Sequence, residues 1–140
     1  SGETEKNVEF YLIKDFHQPY DINVKKIIGV IKPLKQNRDA AGIRHAVTLL
    51  SRQPEKTRLL FYLMEGLPHD FGYDGEYAIA DTQKAIIEAK QNGCLPVVIA
   101  FGNGINEGIR CLVDHCIYRE VSNPRAVPEL LPTLYRRIAI

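Results

Sequence analysis

Two short apolar runs constrain the fold of this chain more than any other feature. They are Arg58–Met64 (RLLFYLM) and Leu95–Phe101 (LPVVIAF), each of a length that suits one strand. Nearly unbroken apolar runs are typical of parallel strands that helices cover on both faces. Between them a helical pattern covers Ile79–Asn92, and Gly93 is placed to end that helix. This order of strand, helix and strand predicts a right-handed crossover in a parallel sheet.

The rest of the chain continues the same alternation. Further strands are predicted at Val8–Phe16 and at Cys116–Val121, the second nearer an edge of the sheet. Further helices are predicted at Ile22–Ile31 (capped by Asp21), at Ala40–Arg52, at Ile109–Val113 and after Asn123. The predicted fold class is α/β, with a three-layer, Rossmann-like and mostly parallel sheet. Sheets of this kind bind ligands at the carboxyl ends of their strands, which directs attention to the loops after Met64 and Phe101 and to the loop before Ala40.

The composition argues against two classes of partner. Eighteen Lys and Arg residues against 17 Asp and Glu residues leave a net charge of +1, which predicts neither nucleic-acid binding nor a basic membrane anchor. No apolar run reaches the ~20 residues that span a bilayer, so no membrane insertion is expected. Three cysteines without a framework spacing favour free thiols in a cytoplasmic protein. Ser1 and Gly2 are typical of a tag remnant, and residues 3–140 are interpreted as one domain.

The loop after Met64 contains the candidate recognition residues. It carries four carboxylates, at Glu65, Asp70, Asp74 and Glu76. Such a cluster suits a hard divalent cation, but a magnesium site also needs ligands that converge from another loop. The preferred interpretation is therefore a solvated acidic loop that binds a protein partner or nothing. The candidate partner-binding residues are Glu65, His69, Asp70, Tyr73 and Asp74.

A glycine-rich loop follows the second apolar run. Gly102, Gly104 and Gly108 lie between a strand and a helix, a placement that suits phosphate. Their spacing is one residue longer than the dinucleotide fingerprint, and the downstream acidic residue is missing. A tight turn is therefore the preferred interpretation. The alternative is a small α/β phosphate- or nucleotide-binding protein or enzyme that uses the Gly102–Gly104 loop together with Asp70.

The segment from Arg58 to Gly93 resembles a known family. It reads RLLFYLMEGLPHDFGYDGEYAIADTQKAIIEAKQNG. The resemblance is to the von Willebrand factor A-type domain of NorD-type nitric-oxide-reductase activation proteins and their CbbO-type Rubisco-activating relatives. In that family the stretch reads LLLxLTDGxPxD, then a loop with tyrosine and glycine, then GIEDTRxAVxEAR. Upstream, YLIKDFHQPYD is similar to YRIKDFDEPWD, and VPELLPTLYRRI is similar to the closing LPxxLPxLYRRL. The matching residues are Gly66, Pro68, Asp70, Tyr73, Gly75, Tyr77, Asp81, Thr82, Ala85, Glu88 and Ala89.

The resemblance implies protein interaction rather than catalysis. It implies a subunit that works with a MoxR-type AAA+ ATPase, carried on a separate chain, to activate or assemble a metalloenzyme such as nitric oxide reductase. We therefore expect that this chain is not an enzyme. A purely structural fragment without independent activity is the other alternative.

The resemblance also implies a metal-ion-dependent adhesion site, from which this sequence departs. Domains of this type bind a divalent ion through an Asp-x-Ser-x-Ser loop, a threonine from a second loop and an aspartate from a third. No Asp-x-Ser-x-Ser occurs here, and the other two positions hold Asn37 and Glu65. We therefore expect a degenerate site with no resident cofactor. Mg²⁺ is expected to bind only if the missing first loop is supplied.

The same resemblance implies that the first strands of the family sheet are missing. The strand Arg58–Met64 then lacks its expected neighbour, and an open apolar edge is a template for pairing. Two arrangements would satisfy this edge. Val8–Phe16 would pair with it inside the same chain, or two chains would form a two-fold homodimer. Of the two, we favour self-association.

Overall fold

The computed structural model describes residues 2–4, 7–33, 37–70, 72–102, 110–112 and 114–138. Its strands are β1 (Gly2–Thr4), β2 (Asn7–Val8), β3 (Arg58–Glu65), β4 (Cys94–Phe101) and β5 (Ile117–Val121). Its helices are α1 (Ile22–Gly29), α2 (Asp39–Ser51), α3 (Gly75–Gln91) and α4 (Val127–Ile138), with a 3-10 turn at Pro124–Ala126 ahead of α4. Residues 110–112 are also helical. Within these ranges, every helix is too short or too polar to cross a lipid bilayer.

The main sheet consists of β3, β4 and β5 in that order, and both pairings are parallel. The β3–β4 register runs from Arg58 opposite Cys94 to Glu65 opposite Phe101, so the two apolar runs lie side by side along their whole length. The central strand β4 is almost entirely buried because it has a neighbouring strand on each side and helices on both faces. This arrangement confirms the prediction of a parallel sheet with β5 at an edge.

Helices cover both faces of the sheet. On one face, α2 and α3 pack against β3 and β4, and the core there includes Ile43, Val47, Leu60, Met64, Ala85, Ile86, Ala89 and Val98. On the other face, Val127, Leu130 and Leu131 of α4 pack near Phe61, Ile99 and Val121. The fold is therefore α/β, with one sheet between two layers of helix.

The predicted strand at Val8–Phe16 is wrong. Only Val8 belongs to a strand, and it pairs with Gly2 in a small antiparallel hairpin separate from the main sheet. The apolar side chains that follow are largely exposed, for example Tyr11 at 54% and Leu12 at 55%. The segment lacks a covering layer in the described chain, so its apolar residues have no surface on which to form a buried strand. Phe10 instead packs its ring against His45 of α2, with 4.3 Å between the ring centroids.

The predicted helices at Ile22–Ile31, Ala40–Arg52, Ile79–Asn92 and after Asn123 are confirmed with shifted ends. Of the predicted helix Ile109–Val113, residues 110–112 are helical, and its two end residues lie outside the described residues. Asp21 caps α1, because its carboxylate accepts hydrogen bonds from the backbone N–H groups of Asn23 and Val24. Helix α3 starts at Gly75 rather than Ile79, so the first turn of this helix includes residues that the sequence assigns to the preceding loop. Gly93 follows its last turn with a φ of 72°, which glycine adopts without strain.

Candidate protein-interaction site

The candidate site is the loop between β3 and α3, at the carboxyl end of the sheet. The Asp70 N–H donates to the Tyr73 carbonyl at 2.7 Å, and the Tyr73 N–H donates to the Asp70 carbonyl at 2.9 Å. These two bonds close a tight turn in which Gly72 has a φ of 65°. The Asn37 N–H donates to the His69 carbonyl at 3.2 Å. This bond connects the loop to the segment ahead of α2.

The side chain of Asp70 is buried and forms an ion pair with Arg38. Arg38 Nε donates to Asp70 Oδ2 at 2.7 Å, and the exposed fractions of the two side chains are 10% and 0%. The Arg38 guanidinium also lies 5.0 Å from the centroid of the Tyr73 ring, within the range of a cation–π contact. Removing a carboxylate from water is costly unless a cation and hydrogen bonds compensate it. Asp70 therefore depends on Arg38 for its position inside the loop.

Tyr73 anchors the other half of the loop to α3. The residue is only 2% exposed, and its hydroxyl donates to Asp81 Oδ2 at 3.1 Å. Asp81 also accepts from Arg44 Nη2 of α2 at 2.8 Å, and Arg44 Nε donates to Glu88 Oε2 at 2.6 Å. Burial raises the pKa of Tyr73, so its hydroxyl stays protonated and able to donate. These contacts join the loop, α2 and α3 into one network.

A second set of side chains faces solvent at the same place. The exposed residues are Glu65, His69, Asp74, Glu76 and Tyr77. Tyr77 lies in the first turn of α3, is 62% exposed, and meets the Tyr73 ring edge-on with 5.5 Å between centroids. The surface is therefore acidic, and it includes the aromatic ring of Tyr77, which packs against the ring of the buried Tyr73.

The residues that the sequence selects thus fall into two groups. Glu65, His69 and Asp74 are exposed, and a contact role for them remains a prediction. Asp70 and Tyr73 are buried, and their geometry gives them the role of positioning the loop. Sequence reasoning assigned no role to their partners Arg38 and Asp81. The available signal was that Asp81 belongs to the matching family residues and that Arg38 follows Asn37 directly.

Asn37 and Glu65 occupy the two positions at which the family resemblance implies ligands of a divalent ion. Asn37 Nδ2 donates to Asp39 Oδ1 at 2.7 Å, and Glu65 is exposed at the end of β3. In the described ranges, no group of three or more His, Cys, Asp or Glu side chains is arranged to hold a metal. Mg²⁺ requires near-octahedral oxygen coordination. One amide and one carboxylate do not fit such an ion by themselves.

The glycine-rich loop after β4 is described only at its start. Gly102 has a φ of 145°, and its N–H donates to the Val121 carbonyl at 3.4 Å. Gly104 and Gly108 lie outside the described residues. Asp70, which the phosphate-binding alternative also uses, is buried in its ion pair with Arg38. That alternative therefore gains no support from the described geometry.

Comparison with known proteins shows similarity over most of the chain. The chain is 34% identical over 134 residues to the uncharacterized protein PA0525 of Pseudomonas aeruginosa. This match covers 95% of the chain and 22% of PA0525. It is 30% identical over 128 residues to Protein NorD of Brucella suis, covering 91% of this chain and 20% of NorD. It is 35% identical over 95 residues to Protein NorD of Stutzerimonas stutzeri, covering 67% of this chain and 16% of NorD.

These relatives are several times longer than the chain. The chain spans 22% and 20% of the lengths of the first two proteins. No family profile matches the chain, and no solved structure matches it. The identities of 30% and 35% to proteins named NorD support a NorD-like family for this chain.

Proposed function

We propose that this chain is a protein-interaction domain of von Willebrand factor A type. In this proposal it acts with a MoxR-type AAA+ ATPase in the activation or assembly of a metalloenzyme such as nitric oxide reductase. Its adhesion site is degenerate, and the chain itself catalyses no reaction. The name NorD of its relatives supports the family, and the motif resemblance from Arg58 to Gly93 supports the domain type and the partners.

The observation that carries the proposal is the internal anchoring of the β3–α3 loop. Asp70 and Tyr73 hold the loop from inside through Arg38 and Asp81. A loop fixed in this way loses little conformational entropy when a partner binds it. Loops positioned by a rigid α/β scaffold are also common sites of recognition. The anchored loop therefore supports a binding role better than a flexible acidic loop would.

The charge of the exposed surface indicates the kind of partner surface that it fits. Glu65, Asp74 and Glu76 are exposed carboxylates at one end of the sheet, and His69 lies in the same loop. Complementary charge accelerates association and suppresses wrong partners. In the proposal, this surface meets a basic patch on the ATPase, and Tyr77 supplies an apolar contact next to it.

The proposal is tested by measuring binding of the chain to a purified MoxR-type AAA+ ATPase by biolayer interferometry. We expect saturable binding, which Asp74→Lys weakens by about tenfold, equivalent to about 1.4 kcal/mol. Asp74 suits this test because it is exposed and its side chain makes no capping hydrogen bond to α3. The matched control is Glu55→Lys, which reverses an exposed carboxylate in the turn before β3. Absence of binding, or equal losses in the two variants, would contradict the proposal.

A further inference from the structure

Arg44 is a cation of α2 that bonds to two carboxylates of α3. Its Nη2 donates to Asp81 Oδ1 at 2.8 Å, and its Nε donates to Glu88 Oε2 at 2.6 Å. The two carboxylates lie about two turns apart on α3, so both face α2. Their side chains are similarly exposed, at 24% for Asp81 and 33% for Glu88. Arg44 therefore joins the two helices through two acceptors in comparable surroundings.

The two carboxylates differ in what else they bind. The second oxygen of Asp81, Oδ2, accepts from the Tyr73 hydroxyl at 3.1 Å. Tyr73 in turn closes the tight turn of the β3–α3 loop, because its N–H donates to the Asp70 carbonyl at 2.9 Å. In the described part of the chain, the Glu88 side chain bonds to Arg44 but not to this loop. Asp81 alone thus connects Arg44 to the candidate interaction site.

The surroundings of the Tyr73 hydroxyl make Asp81 its preferred acceptor. The nearby Thr82 is fully buried, and the two hydroxyl oxygens are 3.5 Å apart. The Thr82 hydroxyl has a single proton, which it donates to the Ala78 carbonyl at 2.8 Å. Asp81 is nearer to Tyr73 and carries a charge, and hydrogen bonds to charged acceptors are the stronger ones. The orientation of the Asp81 carboxylate therefore decides whether Tyr73 keeps its strongest side-chain bond.

We propose that Arg44 is a positioning residue for the β3–α3 loop and acts through the Asp81 carboxylate. By bonding to Oδ1, Arg44 fixes the carboxylate with Oδ2 turned toward Tyr73. The Tyr73 ring then supports the exposed ring of Tyr77, with 5.5 Å between the centroids. The consequence for partner binding rests on the proposed function, whereas the position of the loop can be measured in the chain by itself.

A merely structural role for Arg44 would treat its two carboxylates alike. Both bonds join α2 to α3, whose contact is built on buried small residues such as Ala85 and Ala89. If Arg44 only clamped this helix pair, loss of either carboxylate would have the same effect on the loop. If Arg44 positions the loop, loss of Asp81 affects it and loss of Glu88 does not.

The first experiment is NMR-detected hydrogen exchange of the full chain. The amides of Asp70 and Tyr73 report on the loop, because they form the two hydrogen bonds of its turn. The amides of the buried central strand β4 report on global unfolding. Relative to β4, we expect Asp81→Ala to accelerate exchange at the loop amides about fivefold, as for the loss of one hydrogen bond. Glu88→Ala, which removes one negative charge from the same helix and the same arginine, should leave this ratio unchanged.

A second variant changes α2 instead of α3. Arg44→Met keeps an unbranched side chain but donates to neither carboxylate. We expect it to accelerate exchange at the loop amides between about twofold and fivefold relative to β4. Combined with Asp81→Ala it should add nothing further, because both changes act through one carboxylate. An unchanged ratio in Arg44→Met, or equal ratios in Asp81→Ala and Glu88→Ala, would overturn the proposal.

The consequence for recognition is measured separately, as binding to the purified MoxR-type AAA+ ATPase by biolayer interferometry. We expect Asp81→Ala to weaken binding about fivefold more than Glu88→Ala does, although both remove one negative charge. Equal losses in the two variants would overturn the link between Arg44 and recognition. A parent chain that does not bind would contradict the proposed function, while the exchange ratios would still decide the role of Arg44.

Discussion

Arg38 and Asp70 are 32 positions apart in the sequence and form an ion pair with 2.7 Å between Nε and Oδ2. The pair connects the segment ahead of α2 to the loop after β3. Because the Asp70 side chain is fully buried and Arg38 is only 10% exposed, water screens their interaction weakly. The position of the candidate interaction loop thus depends on a contact between residues distant in sequence.

Replacing Asp70 with Ala should lower the free energy of unfolding by about 3–5 kcal/mol, because it leaves a nearly buried guanidinium without this carboxylate. Urea denaturation followed by circular dichroism measures the change. Glu65→Ala is the control, since Glu65 is an exposed carboxylate at the start of the same loop, and it should change stability by less than about 0.5 kcal/mol. Equal stabilities of the two variants would show that the ion pair contributes nothing.

Tyr73→Phe should lower the free energy of unfolding by about 1 kcal/mol. The substitution keeps the buried ring and removes the hydroxyl that donates to Asp81. Tyr77→Phe is the matched control, because Tyr77 is 62% exposed and should tolerate the change. If Tyr73→Phe unfolds at the same urea concentration as the parent chain, the hydrogen bond from the Tyr73 hydroxyl to Asp81 contributes nothing to the free energy of unfolding.

The sheet could be predicted from the sequence because its signal is local. The apolar runs that form β3 and β4 show their burial in their own composition. Val8–Phe16 is also rich in β-branched and aromatic residues but forms no such strand, because a local pattern does not reveal whether another element is available to cover it.

The candidate site could be predicted only in part, for a related reason. Composition identifies the loop after β3 as acidic, but it does not tell which carboxylate turns inward. That choice depends on Arg38 and Asp81, which meet the loop only after the chain has folded. The sequence therefore locates the loop, whereas the structure separates its positioning residues from its exposed ones.

The cap of α1 should depend on pH. Its hydrogen bond from the Val24 N–H, followed by that from Asn23, lowers the pKa of Asp21 below its ordinary value of 3.8. A lowered folded-state pKa means that the stabilisation is present above pH 3.8 and is lost as the pH falls through the folded value. NMR titration should show the Val24 amide responding at a pH below 3.8. In Asp21→Asn, which keeps a capping side chain without its charge, this response should disappear. A midpoint at or above 3.8 in the parent chain would contradict the cap.

Magnesium should bind this chain weakly, because Asn37 and Glu65 supply too few oxygen ligands for octahedral coordination. Isothermal titration calorimetry should show no stoichiometric binding at micromolar concentrations. Glu65→Gln should give the same result as the parent chain. Micromolar stoichiometric binding that Glu65→Gln abolishes would contradict this expectation and would show that Glu65 is a ligand of a functional magnesium site.

The most direct measurement of the central claim is hydrogen exchange of the chain with and without the purified MoxR-type AAA+ ATPase. If the anchored loop is the contact surface, protection should appear at residues 65–70 and 72–77. Exchange should not change in α4, which covers the face of the sheet opposite to α2 and α3. The same experiment with Asp74→Lys should show reduced protection at the loop. Protection confined to α4, or none anywhere at concentrations where the two proteins bind, would contradict the account.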